Sequence, residues 1–138
     1  MSTDWLDIMR EKVNVKVRKH SIHDEDVLQM SCRTWFDLRY PHLKMLLHHS
    51  PNEGLLVNKA RDGAKRKAMG VRAGFPDFIF LYPSKGVPFL CLELKTETGR
   101  QSHAQKNYQQ LVESVGAKYC IVRSFVEFVQ SIEEYINE

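Results

Sequence analysis

Residues 77–95 read DFIFLYPSKGVPFLCLELK, two apolar runs parted by Pro83-Ser84-Lys85-Gly86. Runs of this length flanking a turn-rich tetrapeptide predict a pair of antiparallel strands of the kind that fills a domain interior. Placing Asp77 opposite Glu93 gives each cross-strand pair an index sum of 170 and brings Pro83 opposite Val87. The loop is then Ser84-Lys85-Gly86, with glycine at the third position, where a left-handed residue is favoured. In this register the two carboxylates face each other at about 5 Å between Cβ atoms. Alternation puts Lys95 on the face of Glu93.

Three charges at one end of such a pair need a reason, because charges are seldom left in a sheet core unless they pair or hold a metal. Two facing carboxylates repel unless something positive lies between them. Mg²⁺ or Mn²⁺ would meet that need, since hard divalent cations take one or two carboxylates together with waters and phosphate oxygens. Asp77 and Glu93 are the candidate ligands, and the backbone carbonyl of Leu94 is a candidate third. Lys95 is placed to hold a phosphate oxygen or an attacking water, an arrangement suited to phosphodiester hydrolysis. The competing reading is a structural ion pair between Lys95 and Glu93, with Asp77 capping the start of its strand.

The rest of the chain predicts one α/β domain, a small mixed sheet with helices around it. A helix is expected from Asp24 to Arg39, with Val27, Leu28, Cys32, Trp35, Phe36 and Leu38 as its buried stripe and Tyr40-Pro41 as its end. LKMLLHHS, residues 43–50, reads as a short buried strand, and Pro51-Asn52-Glu53-Gly54 as a turn. Residues 58–70 read as a basic helix stopping at Gly70. A helix from Ser102 to Val115 would bury Ala104, Tyr108, Leu111, Val112 and Val115 and stop at Gly116. KYCIVRS reads as a strand, and Ser124-Phe125-Val126-Glu127 as a capping box opening a last amphipathic helix. Residues 1–21 are set apart as a basic arm or extension, leaving 22–138 as the domain. The length of 138 residues is that of one domain.

Lys59, Arg61, Lys65, Arg66, Lys67 and Arg72 face a single acid, Asp62, so residues 58–72 carry +5 while the whole chain carries only +3. Concentrated positive charge leading into a carboxylate site suits a phosphate backbone, although a solvated helix face is the commoner fate of such runs. Arg100 and His103 could also touch phosphate. His48 and His49 are neighbours on a strand, point to opposite faces and make poor joint ligands. Three cysteines without a C-x-x-C pattern give neither a disulfide framework nor a zinc site. Cys91 and Cys120 are expected to be inert thiols, and Trp5 and Trp35 packing residues. No apolar run approaches the roughly 18 residues of a membrane span, and MSTDWLDIMREK lacks the apolar core of a signal peptide. An intracellular, cytoplasmic protein without a membrane partner is expected.

Taken as an ordered set, the motifs resemble the VRR-NUC (virus-type replication-repair nuclease) branch of the PD-(D/E)xK nucleases. The resemblance lies in Gly74-Phe75-Pro76-Asp77, in Glu93-Leu94-Lys95, and in Gly99-Arg100-Gln101-Ser102-His103-Ala104-Gln105. His49–Gly54, Lys67–Gly70, and Glu25 with Gln29 are similar to further segments of that family. Leu55 and Leu56 depart from it, since a polar or basic residue is expected after Asn-Glu-Gly. The resemblance covers about residues 22–125 and implies the restriction-endonuclease-like fold. It also implies metal ligation by Asp77 and Glu93, action of Lys95 on the water or phosphate, a second or water-mediated metal contact at Glu25, and orientation of the Lys95 region by Gln105. Glu25 and Gln105 each have a simpler explanation, in a helix dipole and a capping box. The implied activity is Mg²⁺- or Mn²⁺-dependent endonucleolytic cleavage of branched DNA, four-way junctions included, by a homodimer. A non-catalytic DNA-binding module and a subunit of a larger nuclease assembly are the alternatives.

Overall fold

The structure, a computed structural model, describes residues 24–50 and 59–137. The arm at 1–21, the turn at Pro51–Gly54 and the Leu55-Leu56 departure lie outside the described residues. The elements are α1 (Asp24–Arg39), a 3-10 turn (Lys44–Leu46), β1 (Leu47–His49), α2 (Lys59–Ala68), β2 (Phe78–Phe80), β3 (Leu90–Leu94), α3 (His103–Ser114), β4 (Lys118–Val122) and α4 (Phe125–Asn137). The strands form one sheet in the order β1-β2-β3-β4. The first two pairings are antiparallel and the β3–β4 pairing is parallel. A parallel neighbour requires a crossover, and α3 supplies it.

Every residue of β3 is buried. Leu90, Leu92 and Leu94 face a core shared with Phe78 and Phe80, with Cys32, Trp35 and Phe36 of α1, and with Phe128, Ile132 and Tyr135 of α4. Cys91 faces the other way, into a smaller cluster with Val112, Ala117 and Tyr119. The expected mixed sheet flanked by helices is therefore present. Trp35 packs edge-on against Tyr40, Phe125 and Phe128, as a core residue would.

α1 has the expected limits. Asp24, Glu25 and Asp26 fill its first turn, where the dipole favours acids, and Pro41 follows its end. The register of β2 on β3 is also as expected, with Phe78 opposite Leu92 and Phe80 opposite Leu90. Nearer the turn the expectation fails. Ser84 bridges Val87 rather than Pro83, and Ser84 and Val87 exchange both backbone hydrogen bonds. Lys85 (φ 49°) and Gly86 (φ 82°) are then the two central residues of a hairpin turn with both φ positive. Leu81, Tyr82 and Pro83 oppose only Pro88 and Phe89, so the first arm carries a bulge. Pro83 and Pro88 have no N–H to donate, and Leu81 N–H bonds to the carbonyl of Leu46, continuing the β1 ladder.

Residues 43–50 also differ from expectation. A 3-10 turn takes the first half, leaving Met45 86% exposed, and only Leu47–His49 pair in the sheet. Leu38, Leu111 and Val115, expected in buried stripes, are exposed. Of the α3 stripe only Val112 is fully buried, because a single sheet face covers one narrow side of that helix. At the start of α4, Ser124 Oγ accepts from Glu127 N–H, while Glu127 accepts from the N–H of Arg123 rather than of Ser124.

Gly74 (φ 95°) delivers the chain to Asp77, and a Cβ there would lie 2.7 Å from the carbonyl oxygen of Ala104 at the head of α3. Phe75 packs at a tilt against Tyr108 of the same helix, 4.7 Å between ring centroids, and Pro76 is buried. Gly70 also has positive φ (107°) but nothing within 4 Å. Gly74→Ala is accordingly expected to lower stability by about 1–3 kcal/mol more than Gly70→Ala, the added cost of overpacking, in urea unfolding of the two variants.

Candidate active site

Asp77 stands one residue ahead of β2, where continuing the ladder would set it opposite Glu93. Its Oδ2 accepts a 2.7 Å hydrogen bond from the backbone N–H of Leu94, which ties the end of β3 to the start of β2 through a side chain. Its own carbonyl accepts from Ser50 N–H at 3.2 Å and from His49 Nδ1 at 2.8 Å. With Nδ1 so protonated, His49 Nε2 accepts from Gln29 Nε2 at 3.1 Å. A relay of contacts thus runs from α1 through β1 to the backbone of Asp77. Burial pushes the Asp77 carboxyl above its ordinary pKa, and Leu94 N–H, His49 and Lys95 oppose the shift.

Glu93 is 0% exposed, and neither carboxylate oxygen has a hydrogen-bond partner. Burial raises its pKa; the Tyr119 hydroxyl, Lys95 and Gln101 draw it back, and Asp77 raises it further. Tyr119 and Gln101 stand near enough to act on that charge without completing a hydrogen bond to it. The Tyr119 hydroxyl is itself buried and unpartnered. The structural ion pair is not formed: no Lys95–Glu93 contact meets salt-bridge distance among the described residues.

Lys95 leaves the sheet directly after β3, its N–H donating to Val122 O at 2.9 Å. With Thr96, Glu97 and Arg123 it lines a cleft of about 200 Å³ that Asp24, Glu25 and Leu28 at the start of α1 also line. Glu25 and Lys95 therefore line one cleft although they stand 70 positions apart, and Asp77 and Glu93 are not part of its lining. Gln105 is engaged elsewhere. Its side chain accepts from Ser102 N–H at 2.8 Å while its own N–H donates to Ser102 Oγ at 3.1 Å, the capping box of α3. Leu94 contributes its N–H to Asp77 and ends β3.

Of the basic residues, Lys65, Lys67, Arg72 and Arg100 are exposed and Arg66 is half-buried. Lys59 and Arg61 lie in the first turn of α2, and their side chains lie outside the described residues. No described residue of α2 is buried. Its small apolar residues Ala64 and Ala68 are exposed, so among the described residues nothing anchors this helix by burial. Burial pushes the Cys91 thiol up to about 12 and raises that of Cys120, in keeping with inert thiols. No described group of three His, Cys, Asp or Glu residues could hold a metal, as zinc would require. No described helix is long and apolar enough to cross a membrane.

Residues 22–125 match the VRR-NUC domain family. The chain belongs to the VRR-NUC family. Among solved structures, a VRR_NUC domain protein matches with a TM-score of 0.70 and 25% identity over 85% of this chain and 91% of its own. None of the curated proteins matches. The fold is that of the PD-(D/E)xK nucleases, and membership makes this a nuclease domain with DNA as the implied substrate. The candidate site also takes in Tyr119 and Arg123, which no motif marked, while His49 and Gln101 of the matched segments act on Asp77 and Glu93. Glu93, on which Tyr119 acts, and Thr96 and Gly99, the partners of Arg123, lie 24 to 27 positions away, where local pattern carries no signal.

A carboxyl whose pKa is raised by folding stabilises the fold while protonated, and that contribution is lost as pH rises through the folded value. Glu93→Gln is therefore expected to raise the melting temperature of metal-free protein at pH 7. The difference should close toward about pH 4, where the unfolded glutamate also keeps its proton. Melting curves across that range check it.

Proposed function

We propose that the protein is a Mg²⁺- or Mn²⁺-dependent endonuclease of branched DNA, acting on four-way junctions as a homodimer. The observation that carries the reading is the pair of unpartnered, buried oxygens on Glu93 beside Asp77. Buried carboxylate oxygens without partners are costly and uncommon. Two carboxylates and a nearby backbone carbonyl, that of Leu94, make an oxygen donor set suited to Mg²⁺ and too poor for zinc. When bound, the cation would supply Lewis-acid stabilisation of the phosphoryl oxygens and a more acidic water.

The chain's own groups then divide the work. Asp77, fixed by Leu94 N–H, and Glu93 hold the cation. Lys95 holds a phosphate oxygen or the attacking water, and Glu25 reaches the same cleft from α1 as a second or water-mediated ligand. Gln105 orients the region around Lys95 from the head of α3. Lys65, Arg66, Lys67, Arg72 and Arg100, with Lys59 and Arg61, grip the phosphate backbone. The lack of any buried residue among the described residues of α2 supports a helix kept for its charge. Two symmetric incisions in a junction call for two symmetric sites, hence the second copy.

The test offers labelled duplex, flap, single-stranded DNA and a four-way junction to the full chain with Mg²⁺, with Mn²⁺ or with chelator. Metal-dependent cutting of the junction is expected, reduced at least about 10²-fold in Glu93→Ala and Lys95→Ala proteins of unchanged melting temperature. Binding with no cutting under any condition would leave a non-catalytic DNA-binding module. Activity regained only with a partner protein would make the chain a subunit. In a separate measurement, Lys65→Ala with Lys67→Ala should weaken binding alike for every DNA and flatten its log–log salt dependence by roughly 0.9 per lost contact.

A further inference from the structure

Arg123 follows directly on Val122, the residue whose carbonyl receives Lys95 N–H. Its backbone N–H is held by Glu127 of α4 at 2.6 Å. From this pinned position its Nη1 donates to Thr96 O at 2.8 Å, to Gly99 O at 2.7 Å and, more weakly, to Glu97 O at 3.4 Å. Charge-assisted bonds of this kind are stronger than neutral ones. One guanidinium nitrogen thus gathers three carbonyls of the four-residue loop that follows Lys95. The loop also carries its own bond from Gly99 N–H to Thr96 O at 3.1 Å. So folded, Gly99 lies close along the lysine: a Cβ built on it would stand 3.5 Å from Lys95 Cδ. Lys95, Arg123 and Glu25 all line one cleft.

We propose that Arg123 is a positioning residue for Lys95. By drawing the carbonyls of Thr96, Glu97 and Gly99 together it presses the loop against the aliphatic stem of the lysine and fixes where the ammonium stands in the cleft. A lysine at 123 would offer a point charge on a flexible stem in place of a planar donor group, so it would hold the loop only in part. The role assigned to Lys95 rests on the nuclease reading, whereas the clamp on its loop does not.

The experiment compares full-length wild type with Arg123→Ala, Arg123→Lys, Lys95→Ala and the Arg123→Ala/Lys95→Ala double variant, each with a melting curve. Amide exchange at Gly99 and ¹³C relaxation of the Lys95 side chain are measured without DNA, then junction affinity and single-turnover cleavage. In Arg123→Ala, faster Gly99 exchange and a more mobile Lys95 are expected, with affinity within about twofold and cleavage slowed roughly tenfold to a hundredfold, the cost of misplacing a catalytic group. Arg123→Lys should recover part of the rate. The double variant should cut no more slowly than Lys95→Ala, because residues acting through one another are not additive.

Additive losses would overturn the proposal, as would unchanged Gly99 exchange and Lys95 relaxation. Weakened affinity, a salt slope lower by about one and an intact rate would also overturn it, and would make Arg123 a phosphate contact. If wild type cuts nothing, the nuclease reading falls. The exchange and relaxation measurements still decide whether Arg123 holds the loop and the lysine.

Discussion

The structure is organised around one unfavourable group, the carboxylate of Glu93 at the buried end of β3. A strand with all five residues buried gives its side chains no water, and Glu93 has no hydrogen-bond partner in exchange. Left charged, it costs stability; left protonated, it still leaves polar atoms unsatisfied. Apolar packing on both sides of the sheet carries that cost. Leu90, Leu92 and Leu94 lie on one side against α1 and α4, and Cys91 lies on the other against α3. With both oxygens closed off from water, the cation of the proposed reading would reach them only after a covering side chain shifts. Gln101 and Tyr119, which already act on the charge, are the nearest candidates for that cover.

The remaining elements bring their contributions to the same end of the sheet by different physical means. Asp77 is carried there by close backbone packing, because glycine at 74 lets the chain touch Ala104. It is then held by one hydrogen bond to Leu94. Glu25 arrives on a helix set down by its apolar stripe, and Lys95 on the continuation of β3 that Val122 extends by one bond. The parallel pairing of β3 and β4 matters here, since it puts the last residues of both strands at the same end. Arg123 can therefore reach the loop after Lys95. An antiparallel β4 would have set the start of that strand, Lys118, beside the site instead.

How much of this could be read in the sequence depended on the range of the forces involved. The limits of α1 were legible because acids at its start and Pro41 beyond its end act within a turn or two of chain. The β2–β3 register was legible because a slip of one residue would have turned every buried side chain of both strands to the wrong face. The turn was misplaced by one position although Pro83 and Pro88 held the clue, since two residues unable to donate interrupt a regular ladder between them. The exposure of Leu111 and Val115 could not be seen locally. It depends on how wide a strip of α3 the sheet covers, which is a property of packing. In the site, Asp77, Glu93 and Lys95 announced themselves as charges out of place in an apolar context. Arg123 did not, because an arginine after a strand is ordinary until its carbonyl partners, 24 to 27 positions away, are known.

The same reasoning separates α2 from the other helices. α1, α3 and α4 each bury side chains against the sheet, so their positions follow from the core. α2 buries none among its described residues, and its last turn carries Lys65, Arg66 and Lys67. A ten-residue helix is marginal alone in water, and like charges crowded at one end repel. Basic residues in the last turn do gain from the helix dipole, but by tenths of a kcal/mol each. The residual repulsion is relieved when a polyanion lies along that face, so binding would stabilise α2 as well as neutralise it. On the proposed reading the two costs share one cause, a carboxylate placed for a cation and a helix placed for phosphates.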